Sequence, residues 1–261
     1  MQLVFLGTGA GCGVPSFFCT CKACQEARDE PRFSRTRCGL VLMGDETVLV
    51  DAPPELRSQL IRENIKKIDR FILTHWHYDH AGGLGELEFY VRTKRQEMIP
   101  TYMSTVTKEW FDSTHWFMKD CLVVETFESG YHVEIDEMVY TALDVQHAPG
   151  TFGLEIEAPS GRRTAYTSDT GPLPEHTHER LRGVDNLILD ATFWGRNWMP
   201  EDHQSVESAI NIGLELEAKQ IFLTHLSMHH DQIVTSQELE AFLHTFGDHI
   251  HLAYDGLRIE I

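Results

Sequence analysis

The chain has 261 residues, 42% of them hydrophobic, enough to bury a substantial core, which excludes a disordered chain. Forty acidic against 22 basic residues give a formal charge of -18, which opposes any long polyanion unless cations or a local basic patch intervene. No stretch approaches the roughly 20 apolar residues of a membrane-spanning helix. No membrane or nucleic acid partner is therefore expected.

In chain order, the N-terminal MQLVFLGTG has no basic region before its apolar run, so residues 3–6 read as a first strand rather than a signal peptide, and a cytoplasmic protein is expected. Further short β-branched runs predict strands at 48–50, 71–73, 139–145, 154–156, 165–167, 187–189, 221–223 and 250–253. Amphipathic spacing predicts helices over 55–64, 106–117, 205–218 and 236–246, with Ser205 and Ser236 as N-caps. This is an α/β pattern. No linker-like tract divides it, so a single domain over 1–261 is expected.

The chemistry gathers where strands end. LTHWHYDHAGG, residues 73–83, sets His75, His77, Asp79 and His80 directly after the run at 71–73. His147, Asp169 and His225 follow three further predicted strands, and FILTH at 71–75 is echoed by IFLTH at 221–225. In α/β proteins, loops beyond strand carboxyl ends are held rigidly yet stay accessible. Five histidines and two aspartates exceed the needs of one tetrahedral zinc and suit two divalent ions, with zinc, manganese and iron(II) all compatible with imidazole and carboxylate donors. Asp169, arriving between two histidine-rich groups, is the candidate bridge. Such a pair, roughly 3.5–4 Å apart, supports attack of a metal-bound hydroxide on a phosphoryl or acyl centre.

THWHYDHAGG resembles the H-x-H-x-D-H signature of the metallo-β-lactamase superfamily. The resemblance implies an αββα four-layer sandwich, two mixed β-sheets flanked by helices, with one ion on His75, His77 and His147. A second ion would take Asp79, His80 and His225, and Asp169 would lie between them. The additional blocks GTGAGCGVPSFFCTCKAC, HAPGTFGLEIE, SDTGPLP and LTHLS resemble the PhnP-like phosphoribosyl cyclic phosphodiesterases of the carbon–phosphorus lyase pathway. The activity this implies is hydrolysis of a small cyclic phosphodiester, such as a phosphoribosyl 1,2-cyclic phosphate, with two Mn2+ or Zn2+ ions. Two ions, two aspartates and a hydroxide leave the site near +1, which suits a small anionic phosphodiester.

His203, in WMPEDHQSV, is the candidate proton donor to the leaving group, since its ordinary pKa near 6.5 lies close to neutrality. It also matches a histidine of that role in PhnP-like enzymes. Asp79 is the second candidate catalytic residue, doubling as a ligand. Arg196 and Trp198, close by in sequence, are candidate substrate contacts. LGTGAGCGVP lacks both the dinucleotide glycine spacing and a P-loop lysine, so it reads as turn and close-packing chemistry beside the site.

Cys19, Cys21 and Cys24 form C-x-C-x-x-C, able to wrap three thiolates round one structural Zn2+, and the segment 12–31 is expected to be a zinc-binding loop. His229 or His230 can supply the fourth ligand, with His229 nearer the family position, which is Met228 here. Cys12, Cys38 and Cys121 are expected to be buried small hydrophobes. The remaining histidines at 115, 132, 176, 178, 244, 249 and 251 read as surface or structural. Trp110, Phe111, Trp116 and Phe117 read as core or as a homodimer contact.

Two rival activities belong to the same superfamily. A PqqB-like oxygenase would share the cysteine-rich start and need iron(II). A tRNA 3′-processing endonuclease would need a basic arm that is not visible, and the net charge opposes it.

Overall fold

The computed structural model describes residues 1–167 and 169–261; Ser168, the first residue of the SDTGPLP block, lies outside them. Strand β1 (Gln2–Gly7) begins a sheet completed by β2 (Gly39–Met43), β3 (Thr47–Val50), β4 (Arg70–Ile72), β5 (Ile99–Met103) and β6 (Leu122–Thr126). The second sheet holds β7 (His132–Ile135), β8 (Met138–Asp144), β9 (Phe152–Glu157), β10 (Arg163–Tyr166), β11 (Asn186–Asp190), β12 (Gln220–Thr224) and β13 (Ile250–Leu252). The chain then returns to pair β14 (Arg258–Glu260) with β1. The orders are β14-β1-β2-β3-β4-β5-β6 and β13-β12-β11-β10-β9-β8-β7. Each sheet is mixed, with parallel pairing from β3 to β6 and from β10 to β13.

Side-chain alternation along the strands builds the layers. Leu3 and Phe5 of β1, Ile188 of β11 and Phe222 of β12 belong to one cluster between the sheets. Their neighbours point outward: Leu6 and Phe71 join the cluster under α2 (Leu56–Arg62), α4 (Leu84–Tyr90) and α5 (Thr105–Thr114). Leu187, Leu189, Ile221 and Leu223 join the cluster under α1 (Lys22–Asp29), α6 (Glu175–Leu181), α7 (Val206–Glu215) and α8 (Ser236–Leu243). A further short helix, α3 (Tyr78–Ala81), carries part of the histidine-rich segment. The result is the expected αββα sandwich of two mixed sheets.

Local differences from the sequence reading have physical causes. Ser205 caps α7 by accepting from the Ser208 amide, but α8 is capped by Thr235, not Ser236. Thr235 and Glu238 form a reciprocal capping box, which leaves Ser236 as the first helical residue. The helix predicted over 106–117 is capped by Ser104 and stops at Thr114, followed by a separate 3-10 turn at Trp116–Met118. Strands β2, β5, β6, β7 and β14 were not expected. The segment 12–31 is not all loop, since α1 occupies most of its second half. Gly7 is fixed by close approach: a Cβ there would collide with the Arg37 carbonyl oxygen, where the β1–β2 register shifts. No helix among the described residues is long and apolar enough to cross a membrane.

Candidate metal centre

Because β9 runs antiparallel to both neighbours, β8 runs the same way as β10, β11 and β12, and the carboxyl ends of all four open on one rim. From that rim of the second sheet come His147, Asp169 and His225. Across from them β4 delivers His75, and the turn into α3 delivers His77, Asp79 and His80. The seven side chains converge in two groups. His75, His77, His147 and Asp169 offer donor atoms within 4.8 Å of one another, and so do Asp79, His80, Asp169 and His225.

Asp169 belongs to both groups. Its Oδ1 lies 3.2 Å from His80 Nε2, and its Oδ2 lies 3.3 Å from His225 Nε2 and 3.8 Å from both His75 Nε2 and His147 Nε2. Asp79 Oδ2 is 3.4 Å from His225 Nε2. Burial opposes ionisation of Asp169, yet His225 and His80 hold its pKa well below the usual carboxylate range. Burial pushes His75 well below the ordinary histidine value, reinforced by His80.

Four of the five histidines have their other nitrogen fixed. His75 Nδ1 lies 3.0 Å from Thr74 Oγ1, and His80 Nδ1 lies 2.8 Å from Asp51 Oδ2. His147 Nδ1 donates to the Asp202 carbonyl at 2.9 Å, and His225 Nδ1 donates to Thr192 Oγ1 at 2.8 Å. Each such bond fixes the ring and turns Nε2 toward the centre, where a cation would take its lone pair. At His80, Asp169 and Asp51 outweigh burial and raise the pKa well above the ordinary histidine value. Among the described residues, His75 Nε2, His80 Nε2 and Asp169 Oδ1 are buried with no hydrogen-bond partner. Orphaned lone pairs turned toward one another are what a cation would satisfy, so the donor set fits divalent metal ions.

Asp51, Thr74, Asp190 and Thr192 were not singled out in the sequence. The signal was the same one that found the histidines: a polar residue at or just past the end of an apolar run, as in VLVDAPP and LILDAT. Asp51 directly follows β3 with φ 63°, and His225 directly follows β12 with φ 56°. Both are strained left-handed conformations for non-glycine residues, held by the surrounding bonds.

His203 stands on the wall of the site, its ring stacked on that of His225 with centroids 5.3 Å apart. Its Nδ1 donates to Asp190 Oδ2 at 2.7 Å, and Asp190 is fully buried, accepting also from the Thr192 and Thr170 amides. Burial alone would lower the His203 pKa, but Asp190 outweighs it and raises the value to about 9. The centre opens into a cavity of about 540 Å³ whose walls include His203, Phe193, Trp198 and Met199. Trp198 is half exposed at that wall, whereas Arg196 is exposed outside the lining, with its amide on the Asp231 carboxylate.

Cys19, Cys21, Cys24 and His229 form a separate group with donor atoms within 4.8 Å of one another. His229 Nδ1 lies 3.3 Å from Cys24 Sγ. Burial pushes the Cys24 thiol up to about 12 and His229 down to about 4. His230 stands outside this group. Met228 is turned into the core with φ 59°, its sulfur accepting from Arg35 Nε at 3.1 Å. Cys38 and Cys121 are buried as expected, but Cys12 is exposed, because it lies between Gly11 and Gly13 on a loop beyond β1, and it lines the cavity. Phe111 is core, whereas Trp116 and Phe117 are exposed.

Residues 46–226 match the family described as beta-lactamase superfamily domain. The chain is 27% identical over 98% of its length to a Porphyromonas gingivalis protein named octanoyltransferase. It spans about half (51%) of that relative. Among solved structures, a diphosphatase from the PhnP family is similar at TM-score 0.86 and 28% identity, covering 100% of this chain and 97% of the other. Zn(2+)-bound PqqB from Methylobacterium extorquens is similar in fold at TM-score 0.80 and 21% identity, with 100% of both chains covered.

Proposed function

Since the chain belongs to the beta-lactamase superfamily, whose members are mostly metal-dependent hydrolases, we propose that it hydrolyses a small anionic phosphodiester, with phosphoribosyl 1,2-cyclic phosphate as the leading substrate. The observation that carries this reading is the pair of donor groups sharing Asp169 and opening, beside the Asp190-bonded His203, onto one cavity. One ion would be held by His75, His77, His147 and Asp169, the other by Asp79, His80, Asp169 and His225. Two divalent ions, Mn2+ or Zn2+, supply Lewis acidity and lower the pKa of water when bound there. The resemblance to a PhnP-family diphosphatase supports phosphorus as the reacting centre.

The chain's own residues do the rest. Asp79 stays ionised, because His225 and His80 outweigh burial and hold its pKa below the usual carboxylate range, and its carboxylate lies on the cavity wall, where it would orient the attacking water. His203 carries a proton to the departing alkoxide oxygen, and Asp190 holds both the ring and the charge. Trp198 and Phe193 cover the organic part of the ester. The Cys19, Cys21, Cys24 and His229 group takes a structural Zn2+ that ties the N-terminal segment to the loop after β12. Self-association through Trp116 and Phe117 belongs to the same proposal, and sedimentation velocity tests it.

Among the described residues no lysine or arginine lines the cavity, which speaks against a tRNA substrate. The deciding experiment depletes the protein of metal and reconstitutes it separately with Mn2+, Zn2+ and Fe2+. Each form is assayed for hydrolysis of phosphoribosyl 1,2-cyclic phosphate and bis-p-nitrophenyl phosphate, and for oxygen uptake with a tyrosine-derived substrate. Phosphodiester turnover with Mn2+ or Zn2+ is expected; oxygen uptake with Fe2+ alone and no hydrolysis would overturn the proposal in favour of a PqqB-like oxygenase.

A further inference from the structure

A second cluster of ligating side chains stands at the mouth of the same cavity. Cys12 Sγ lies 3.9 Å from His230 Nε2, and both residues line the cavity. The third member is His229, whose ring faces two ways. Its Nδ1 is directed at Cys24, while its Nε2 lies 3.4 Å from the hydroxyl of Ser16. That hydroxyl is bonded to the Cys12 carbonyl at 3.0 Å, so Nε2 is turned toward the loop that carries Cys12. One donor atom each from Cys12, His229 and His230 lie within 4.8 Å of one another.

We infer that these three residues form a further metal-ion site at the cavity rim, taking a borderline-soft divalent cation such as Zn2+ through Cys12 Sγ, His230 Nε2 and His229 Nε2. A tetrahedral zinc with bonds of about 2.3 Å to sulfur and 2.0–2.1 Å to nitrogen separates its ligand atoms by roughly 3.6 Å, close to the 3.9 Å between Cys12 Sγ and His230 Nε2. His229 is then shared with the Cys19, Cys21 and Cys24 group. Binding releases two protons, one from the Cys12 thiol and one from the His229 ring, which becomes a bridging imidazolate. Three protein donors leave a fourth position for water or an anionic oxygen. Because Cys12 and His230 are cavity-lining residues, an ion here brings positive charge to a chamber whose described walls carry three aspartates and no basic side chain other than histidine.

The test uses the intact, metal-replete protein and Zn2+ alone. After equilibrium dialysis, wild type should hold one more zinc equivalent than Cys12→Ser or His230→Gln, and both variants should keep the remaining metals. Iodoacetamide labelling, read peptide by peptide, should show Cys12 modified at least ~10-fold more slowly when zinc saturates the site, since the bound thiolate is withdrawn from attack. With Co2+, a thiolate-to-metal charge-transfer band should be present in wild type and reduced in Cys12→Ser. Equal zinc content in wild type and both variants, or Cys12 labelling unaffected by zinc, would overturn the assignment.

Discussion

Replacing Asp190 by asparagine isolates the proton-delivery side of the proposed chemistry. The carboxylate holds His203 through a 2.7 Å bond, and it raises the histidine from an ordinary 6.5 to about 9 despite burial. That rise corresponds to roughly 3 kcal/mol of preference for the protonated ring. A histidine raised in the folded state contributes stability that is fully present below pH 6.5 and is lost as pH rises through about 9. In Asp190→Asn the largest support of the raised value is gone, and burial, opposed only by Asp169 and Asp79, returns His203 toward its ordinary 6.5. At pH 8 the protonated fraction then falls from ~0.9 to ~0.03, so turnover that depends on this proton drops ~30-fold or more. Bound cations repel the imidazolium in both proteins and lower both values together, so the separation of the two basic limbs survives. The assay is kcat/KM against pH for metal-loaded wild type and variant, with one ester of a poor leaving alcohol and one of p-nitrophenol. The basic limb should move down by about 2.5 pH units for the poor leaving group, with little effect for p-nitrophenol. An unmoved limb, or equal losses with both esters, would refute the role given to His203 and Asp190.

Three further perturbations reach other parts of the site. Asp51→Asn presents an amide where His80 Nδ1 needs an acceptor, so metal affinity should fall ~10–100-fold in chelator competition; unchanged affinity would mean that Asp51 only fastens the turn. Cys21→Ser should lose one tightly held zinc equivalent and lower Tm by ~10 °C or more in calorimetry, and an unaltered metal content would remove the structural zinc. Trp198→Ala removes a half-exposed cavity wall and should raise KM up to ~10-fold with kcat nearly constant; a fall in kcat alone would contradict a binding role.

The residues that bring metal-binding chemistry were legible because they obey a local rule. His75 and His225 each follow an apolar run by one or two positions, and the tetrad's spacing turns four donors into one short segment. The structure gathers these with His147 and Asp169. What the rule could not show is which atoms hold the ligands in place. Thr192 bridges His225 and Asp190 through a single hydroxyl, and Asp51 supports both Thr74 and His80; these pairings depend on how strands of distant sequence lie side by side. Two of the missed strands have a similar explanation. His132–Ile135 and Leu122–Thr126 are edge strands with exposed faces, so their sequences lack the continuous apolar signal of a buried strand. Cys12 was misread because cysteine's usual burial says nothing about a loop flanked by two glycines.

The division of ligands between the sheets gives the cations a second role. His75 and His77 come from the first sheet's rim and His147 from the second's; likewise Asp79 and His80 face His225 across the gap, with Asp169 common to both groups. Each ion would thus close a loop running from the first half of the chain to the second, and loop-closure entropy grows only slowly with the length enclosed. Without the ions, the apposed imidazoles must tolerate one another: His77 Nδ1 and His147 Nε2 are only 3.1 Å apart, and burial lowers the pKa of both, reinforced by His147 at His77 and by His203 at His147. His75, His77 and His147 are therefore held neutral at neutral pH, the state a divalent ion requires, whereas Asp169 and Asp51 raise His80 well above the ordinary value, so a cation there must displace a proton. The same bonds that make the site ready to bind make it costly to leave empty, so metal loading should stabilise the contact between the two sheets as well as equip the site for hydrolysis.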